Sequence, residues 1–248
     1  MRYFIEFAYK GTNYHGSQVQ PNGVTVQSVM QEAFATILRQ PVALTFAGRT
    51  DAGVHAEQMF AHFDIDPCVF EQSGLCSLSE TVSRLNRLLP ADIAVRQIYP
   101  VADDLHARFS AVSRTYEYRI ATRKSPFTHD TRAYVPTILD YDAMNRAAEL
   151  LIGTHDFASF CKVHTDVKTT ICTITHAQWT TDGDGAIFTI TADRFLRNMV
   201  RAVVGTLLEV GRHRLTAEGF AEVIATHSRQ AAGQSAPAEG LFLTSVRY

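Results

Sequence analysis

A chain of 248 residues is long for one minimal domain and sufficient for two small ones. Its 46% hydrophobic and 19% charged residues, with no stretch near the roughly 20 apolar residues of a membrane span, exclude a disordered, fibrous or membrane chain. A formal net charge of −2 gives no global sign of a polyanionic partner, and Glu6 interrupts any apolar leader, so a cytoplasmic protein with no membrane association is expected.

Tyr3, Ile5, Phe7 and Tyr9 alternate as a strand that Gly11-Thr12-Asn13 ends. From Thr25, a plausible N-cap, the residues Val26, Val29, Met30, Ala33, Phe34 and Ile37 form a helical stripe that stops before Pro41. Segments 42–47 and 56–64 read as strands on either side of Gly48-Arg49-Thr50-Asp51-Ala52-Gly53. A helix near 79–89 closes at Pro90, and Ile93, Val95 and Gln97 begin another strand. The order βαββαβ then recurs. Residues 114–122 read as a strand, Asp140 caps a helix through Leu151 that Gly153 terminates, and strands at 171–180 and 186–192 flank an Asp182-Gly183-Asp184-Gly185 turn. Helices at 195–210 and 217–226 and a strand from Leu241 to Arg247 complete it. The repeat predicts an α+β fold of two tandem ferredoxin-like halves, residues 1–105 and 106–248, forming one continuous, mainly antiparallel sheet with a central cleft suited to an extended ligand.

The net charge hides its distribution. There are 19 Arg against 4 Lys, and Arg is the cation suited to forked contacts with phosphates, although genome base composition also enriches it. Residues 105–132 carry six cations against Glu117 and Asp130, and residues 194–214 carry five against Glu209, a formal +4 in each region. A near-neutral protein with two basic regions can attract a polyanion over one face. The four cysteines form no CxxC pair and read as reduced thiols. Cys161, His164, Cys172 and His176 are the best metal-like grouping, but their spacing matches no familiar zinc site, so no metal is expected.

Asp51 lies two residues after Arg49 in a turn bracketed by glycines, which permit close backbone approach to a ligand. An Asp in such a turn is by default an Asx-turn or a cap; the density of functional groups in residues 47–56 argues for more. Arg194, Arg197 and Arg201 fall at i, i+3 and i+7 on the helix expected from 195, by default a solvated row. An arginine meeting Asp51 would hold its carboxylate ionised, as a nucleophile or electrostatic stabiliser and not an acid. Tyr116, in Tyr116-Glu117-Tyr118, is by default a core residue of a strand.

Five ordered blocks, AGRTDAGVHA at 47–56, DDLHARFSA at 103–111, SRTYEYRI at 113–120, FLRNMVRAVVG at 195–205 and AEGLFLTSVRY at 238–248, resemble the tRNA pseudouridine synthase A family over essentially the whole chain. The resemblance implies Asp51 as the nucleophile, Tyr116 against the target base, Arg201 as ion-pair partner of Asp51 and Arg49 holding the flipped nucleotide. Arg197, Arg114 and His55 join Tyr116 as substrate-binding candidates. It further implies isomerisation of uridine to pseudouridine at nucleotides 38, 39 and 40 of the tRNA anticodon stem-loop, without cofactor, by a homodimer. Turning an N-glycoside into a C-glycoside needs one carboxylate to attack sugar or base, or to assist loss of the 2′ hydrogen, and the sequence leaves these routes open. No second carboxylate of the glycosidase kind partners Asp51 in the sequence. Extruding the uridine costs a few kcal/mol, which a stacked ring such as Tyr116 offsets. The chain departs from the family in the loop Tyr14-His15-Gly16-Ser17-Gln18-Val19-Gln20, where Ser17 stands in place of a large aromatic.

Two rival readings are weaker. His15-Gly16-Ser17 and His129-Asp130-Thr131 mimic the paired motifs of two-histidine phosphoesterases, but they fall in loop-like sequence and not on strands. A duplicated RRM-like binding module would need an RNP1 signature, which is missing, and has no use for a nucleophile turn.

Overall fold

The computed structural model describes residues 1–162, 168–183 and 185–248. The content is mixed α and β, and the strand pairing is mostly antiparallel. Contacts divide the chain into two units, Met1–Ala111 with Leu243–Tyr248, and Val112–Phe242.

In the first unit, β1 (Arg2–Tyr9) is followed by α1 (Val26–Leu38), β2 (Thr45–Phe46), β3 (His55–Asp64), α2 (Cys68–Gln72), α3 (Leu78–Leu88) and β4 (Ile93–Val101). β1 lies between β3 and β4, antiparallel to both, with Ile5 opposite Ala61 on one side and Ile98 on the other. The alternation read from the sequence places Tyr3 and Phe7 on one face, where Tyr3 stacks on Phe63 at 5.5 Å and Phe63 meets Phe34 of α1 at 5.1 Å. Phe4 occupies the opposite face and packs against Tyr248 at 5.1 Å. Thr25 caps α1 as predicted: its Oγ1 accepts from the Ser28 N–H at 3.2 Å, and Ser28 Oγ accepts from the Thr25 N–H at 3.1 Å.

The strand expected over 42–47 shortens to β2 because α1 competes for its backbone. Gln27 donates to the Leu44 carbonyl at 2.7 Å and Gln31 accepts from the Leu44 N–H at 3.0 Å, so Leu44 is satisfied without a ladder. Asn86 of α3 does the same on the outer side of β4, accepting from the Val95 N–H and donating to the Val95 carbonyl, both at 2.8 Å. An edge strand is thereby covered.

The second unit contains β5 (Ser113–Ala121), β6 (Ala133–Tyr134), α4 (Tyr141–Glu149), β7 (Gly153–Asp156), β8 (Ile171–Asp182), β9 (Gly185–Ala192), α5 (Met199–Gly211) and α6 (Ala217–Ala225). β10 (Leu241–Arg247) follows, its first two residues counted with this unit and the rest with the first. β5, β9, β8 and β7 pair in that order, all antiparallel, while β6 runs parallel to the end of β5. β7 reaches only Ile171–Ile174 of β8, and Asn145 of α4 brackets the uncovered Trp179, accepting from its N–H at 2.7 Å and donating to its carbonyl at 3.1 Å.

Two helix boundaries differ from those expected. α4 stops at Glu149, and Gly153, with φ of 111°, opens β7 where it was expected to end the helix. α5 starts at Met199 and not 195, because Asn198 takes a left-handed conformation with φ of 63° and the Leu196 carbonyl accepts from the Met199 N–H at 3.1 Å. Arg194 and Arg197 therefore precede the helix and form no row with Arg201. The expected turn at 182–185 includes Asp184, which lies outside the described residues.

Candidate active site

The turn carrying Asp51 is fastened by the residue before it. The Thr50 N–H donates to Ser17 Oγ at 2.8 Å, its carbonyl accepts from the Ser17 N–H at 3.2 Å, and its hydroxyl shares a hydrogen bond with the Tyr9 hydroxyl at 2.8 Å. Thr50 is buried, Asp51 half-buried and Arg49 exposed, so the chain emerges from the core at the carboxylate. The Asp51 carbonyl accepts from the Val54 N–H at 3.2 Å, closing the turn through Gly53 at φ of 79°.

Segment 11–17 wraps this turn so closely that two of its positions exclude side chains. A Cβ on Gly11 would lie 1.9 Å from the Val54 carbonyl oxygen, and one on Gly16, whose φ is 90°, 2.8 Å from that of Thr50. The Gly11 N–H donates to His55 Nδ1 at 2.9 Å, which fixes His55 as an acceptor at that nitrogen; the ring is only 1% exposed. His55 thus lies beneath the turn.

In the second unit, Tyr116 and Tyr118 share one face of β5 but differ in burial. Tyr118 is fully buried with its hydroxyl donating to the Pro237 carbonyl at 2.9 Å, and burial raises its pKa. Tyr116 is half-buried and meets Phe195 edge-to-face, 5.1 Å between centroids. Arg201, in the first turn of α5, donates from Nε to the Ala236 carbonyl at 2.7 Å, while the Ala236 N–H returns a bond to the Arg201 carbonyl at 2.9 Å. Arg114 donates to the Asp193 carbonyl at 2.8 Å. Arg197 is exposed, and its carbonyl accepts from the Lys162 N–H at 3.1 Å.

The sequence profile of a family described as tRNA pseudouridine synthase matches residues 147–248. A tRNA pseudouridine synthase A of Parabacteroides distasonis is 55% identical over 247 residues, covering 100% of this chain and 96% of the relative. One of Bacteroides thetaiotaomicron is 53% identical over 250 residues, covering 100% and 90%, and one of Staphylococcus aureus is 37% identical over 248 residues, covering 99% and 91%. The chain belongs to the tRNA pseudouridine synthase A family. It is an isomerase of the class that acts on tRNA uridine.

Ser17 has a role that the sequence did not reveal. Standing where the family has a large aromatic, it is fully buried and holds both backbone groups of Thr50. Ser17→Ala leaves a buried N–H without its acceptor and is expected to lower unfolding free energy by about 1–3 kcal/mol, seen as a lower urea midpoint. An unchanged midpoint would contradict that fastening.

The basic regions are partly neutralised from within. Arg119 pairs with Glu117 at 2.6 Å and lies over Phe242 at 4.0 Å; Arg212 and Arg214 both pair with Glu209, at 2.7 and 3.5 Å; Arg132 pairs with Asp182. Of the metal-like grouping, His164 lies outside the described residues, Cys161 and Cys172 are buried, and His176 is exposed. Burial pushes the Cys172 thiol up to about 12, which keeps it protonated. Among the described residues no three His, Cys, Asp or Glu side chains are placed to hold a metal. His15 and His129, the rival phosphoesterase pair, are both exposed and lie on no strand. No helix among the described residues is long and apolar enough to cross a membrane.

Proposed function

We propose that the chain converts uridine to pseudouridine at nucleotides 38, 39 and 40 of the tRNA anticodon stem-loop, with Asp51 as nucleophile. The observation that carries the reading is the fastened turn, in which a buried Thr50 held from three sides presents a half-buried carboxylate next to an exposed Arg49. Preorganisation of this kind keeps a reacting group in register without reordering during the reaction. The proposal assigns Arg201 as the charge partner that keeps Asp51 ionised, Arg49 to the flipped nucleotide, and Tyr116 to the face of the extruded ring. The half-burial of Tyr116, against the full burial of Tyr118 on the same strand face, supports that choice. Arg114 and Arg197 are assigned to substrate phosphates, and His55 acts through the turn it underlies.

The reaction breaks N1–C1′ and forms C5–C1′; the C5 proton leaves and N1 takes one, so nothing is oxidised or hydrolysed. Asp51 attacks the sugar or the base, or assists loss of the 2′ hydrogen, and each route uses a single carboxylate. Tyr116 and the closed turn hold the free base and exclude water while it rotates. The finer reading belongs to the same proposal: each half is ferredoxin-like, and the enzyme acts in the cytoplasm as a homodimer. The order β4–β1–β3–β2 in the first unit and β5–β9–β8 in the second supports the ferredoxin-like reading of each half.

Because the C5 proton is lost, tRNA tritiated at uridine C5 reports the reaction directly. The protein, without added cofactor, is expected to release tritium to water in proportion to the pseudouridine formed. Absence of release, or release that requires an added cofactor, would sink the proposal.

A further inference from the structure

Residues 103–110 form a turn fixed to the first unit at several points. The Arg2 N–H donates to Asp103 Oδ1 at 3.0 Å and its guanidinium to the Leu105 carbonyl at 3.1 Å. The Ala107 N–H donates to His62 Nδ1 at 3.2 Å, and the Tyr248 hydroxyl donates to the Ala107 carbonyl at 2.7 Å. Within the turn, the Ser110 N–H donates to the His106 carbonyl and the His106 N–H to Ser110 Oγ, both at 2.9 Å, and His106 Nδ1 accepts from the N–H groups of Arg108 and Phe109 at 3.0 and 3.3 Å.

This rigid turn ends in an aromatic ring facing solvent. Phe109 is 76% exposed, with His106 behind it at 4.4 Å and the buried His62 behind His106 at 4.5 Å, a column of three rings from core to surface. The Arg108 guanidinium lies 5.5 Å from the Phe109 centroid. Burial and the Arg2 charge lower the pKa of both histidines, His62 to about 4, so at neutral pH the column behind the ring is uncharged. A single exposed apolar side chain is ordinary. A ring backed by two others, locked in place and accompanied by an arginine has the form of a stacking platform for single-stranded nucleic acid, where a base lies on the aromatic face and a cation meets the phosphate.

We propose that the 103–110 turn is a substrate-positioning step of the enzyme, on which Phe109 stacks an unpaired base of the RNA and Arg108 meets the adjoining phosphate. The inference rests on the tRNA reading above and adds a contact outside the Asp51 turn. Any base would serve, because stacking uses the π face and not the hydrogen-bonding edge.

The test measures affinity for a fluorescein-labelled anticodon stem-loop with the wild type, Phe109→Leu, Phe109→Trp and Arg108→Ala. Phe109→Leu keeps apolar volume but removes the ring and is expected to raise Kd about tenfold, whereas Phe109→Trp stays within about twofold of wild type. Arg108→Ala is expected to weaken binding and reduce the slope of log K against log salt by about 1. A 2-aminopurine at an unpaired loop position should be quenched by the wild type and Phe109→Trp but not by Phe109→Leu. Equal affinity of Phe109→Leu and wild type, equal weakness of the Leu and Trp variants, or a large fall in melting temperature for Phe109→Leu would each overturn the platform. Wild-type tritium release judges the isomerase reading separately: with no release and an intact tenfold affinity difference, the platform stands and the proposed reaction falls.

Discussion

Asp51→Ala is expected to abolish pseudouridine formation, a fall of at least about 10⁴-fold, while tRNA Kd moves by no more than about threefold. The separation follows from the turn. Thr50 is held by Ser17 and Tyr9, and backbone bonds at Asp51 and Gly53 close the turn. These bonds are retained in Asp51→Ala, so the turn and the RNA-binding surface around it should stay in place. Binding assays and product analysis on the same preparation give the two numbers. Loss of affinity in proportion to activity would make Asp51 a binding residue, and residual turnover near wild type would remove it from the chemistry.

Arg201→Leu is expected to reduce kcat by about 10²-fold, with KM changed by less than about threefold, because a charge-assisted bond is worth roughly 1.5–3 kcal/mol. Arg201 also holds Ala236 through Nε, so a structural contribution has to be separated from an electrostatic one. Arg201→Lys does this, because it retains the charge while losing the Nε bond to the Ala236 carbonyl. The Lys variant should recover kcat to within about tenfold of wild type. Equal kcat for the Leu and Lys variants, with equally lowered melting temperatures, would confine Arg201 to the fold.

The elements legible in the sequence are those whose signals are local. Thr25 and the stripe behind it gave α1, and the run from Leu241 to Arg247 gave β10. β7 was missed because Gly-Thr-His-Asp carries no apolar alternation: it is a short edge strand that pairs over only four residues. The start of α5 was placed too early because Phe195 and Leu196 continue its apolar pattern, and only the left-handed Asn198 breaks it. The candidate site divides in the same way. Gly48 and Gly53 announced a tight turn around Asp51, but its fastening depends on Ser17 and Tyr9, which meet Thr50 across separations of 33 and 41 residues. Tyr116 and Tyr118 carry the same strand signal; only packing distinguishes the buried Tyr118 from Tyr116 beside Phe195. The charge of −2 conveyed least, since pairing of Arg119, Arg132, Arg212 and Arg214 with nearby acids, and not the sum, decides which cations an RNA meets.

The most direct measurement is position-resolved pseudouridine mapping of unmodified tRNA carrying uridine at 38, 39 and 40, incubated with the wild type and with Asp51→Ala. The account predicts conversion at those nucleotides by the wild type and none by the variant. Conversion only elsewhere, no conversion by the wild type, or equal conversion by both would contradict it.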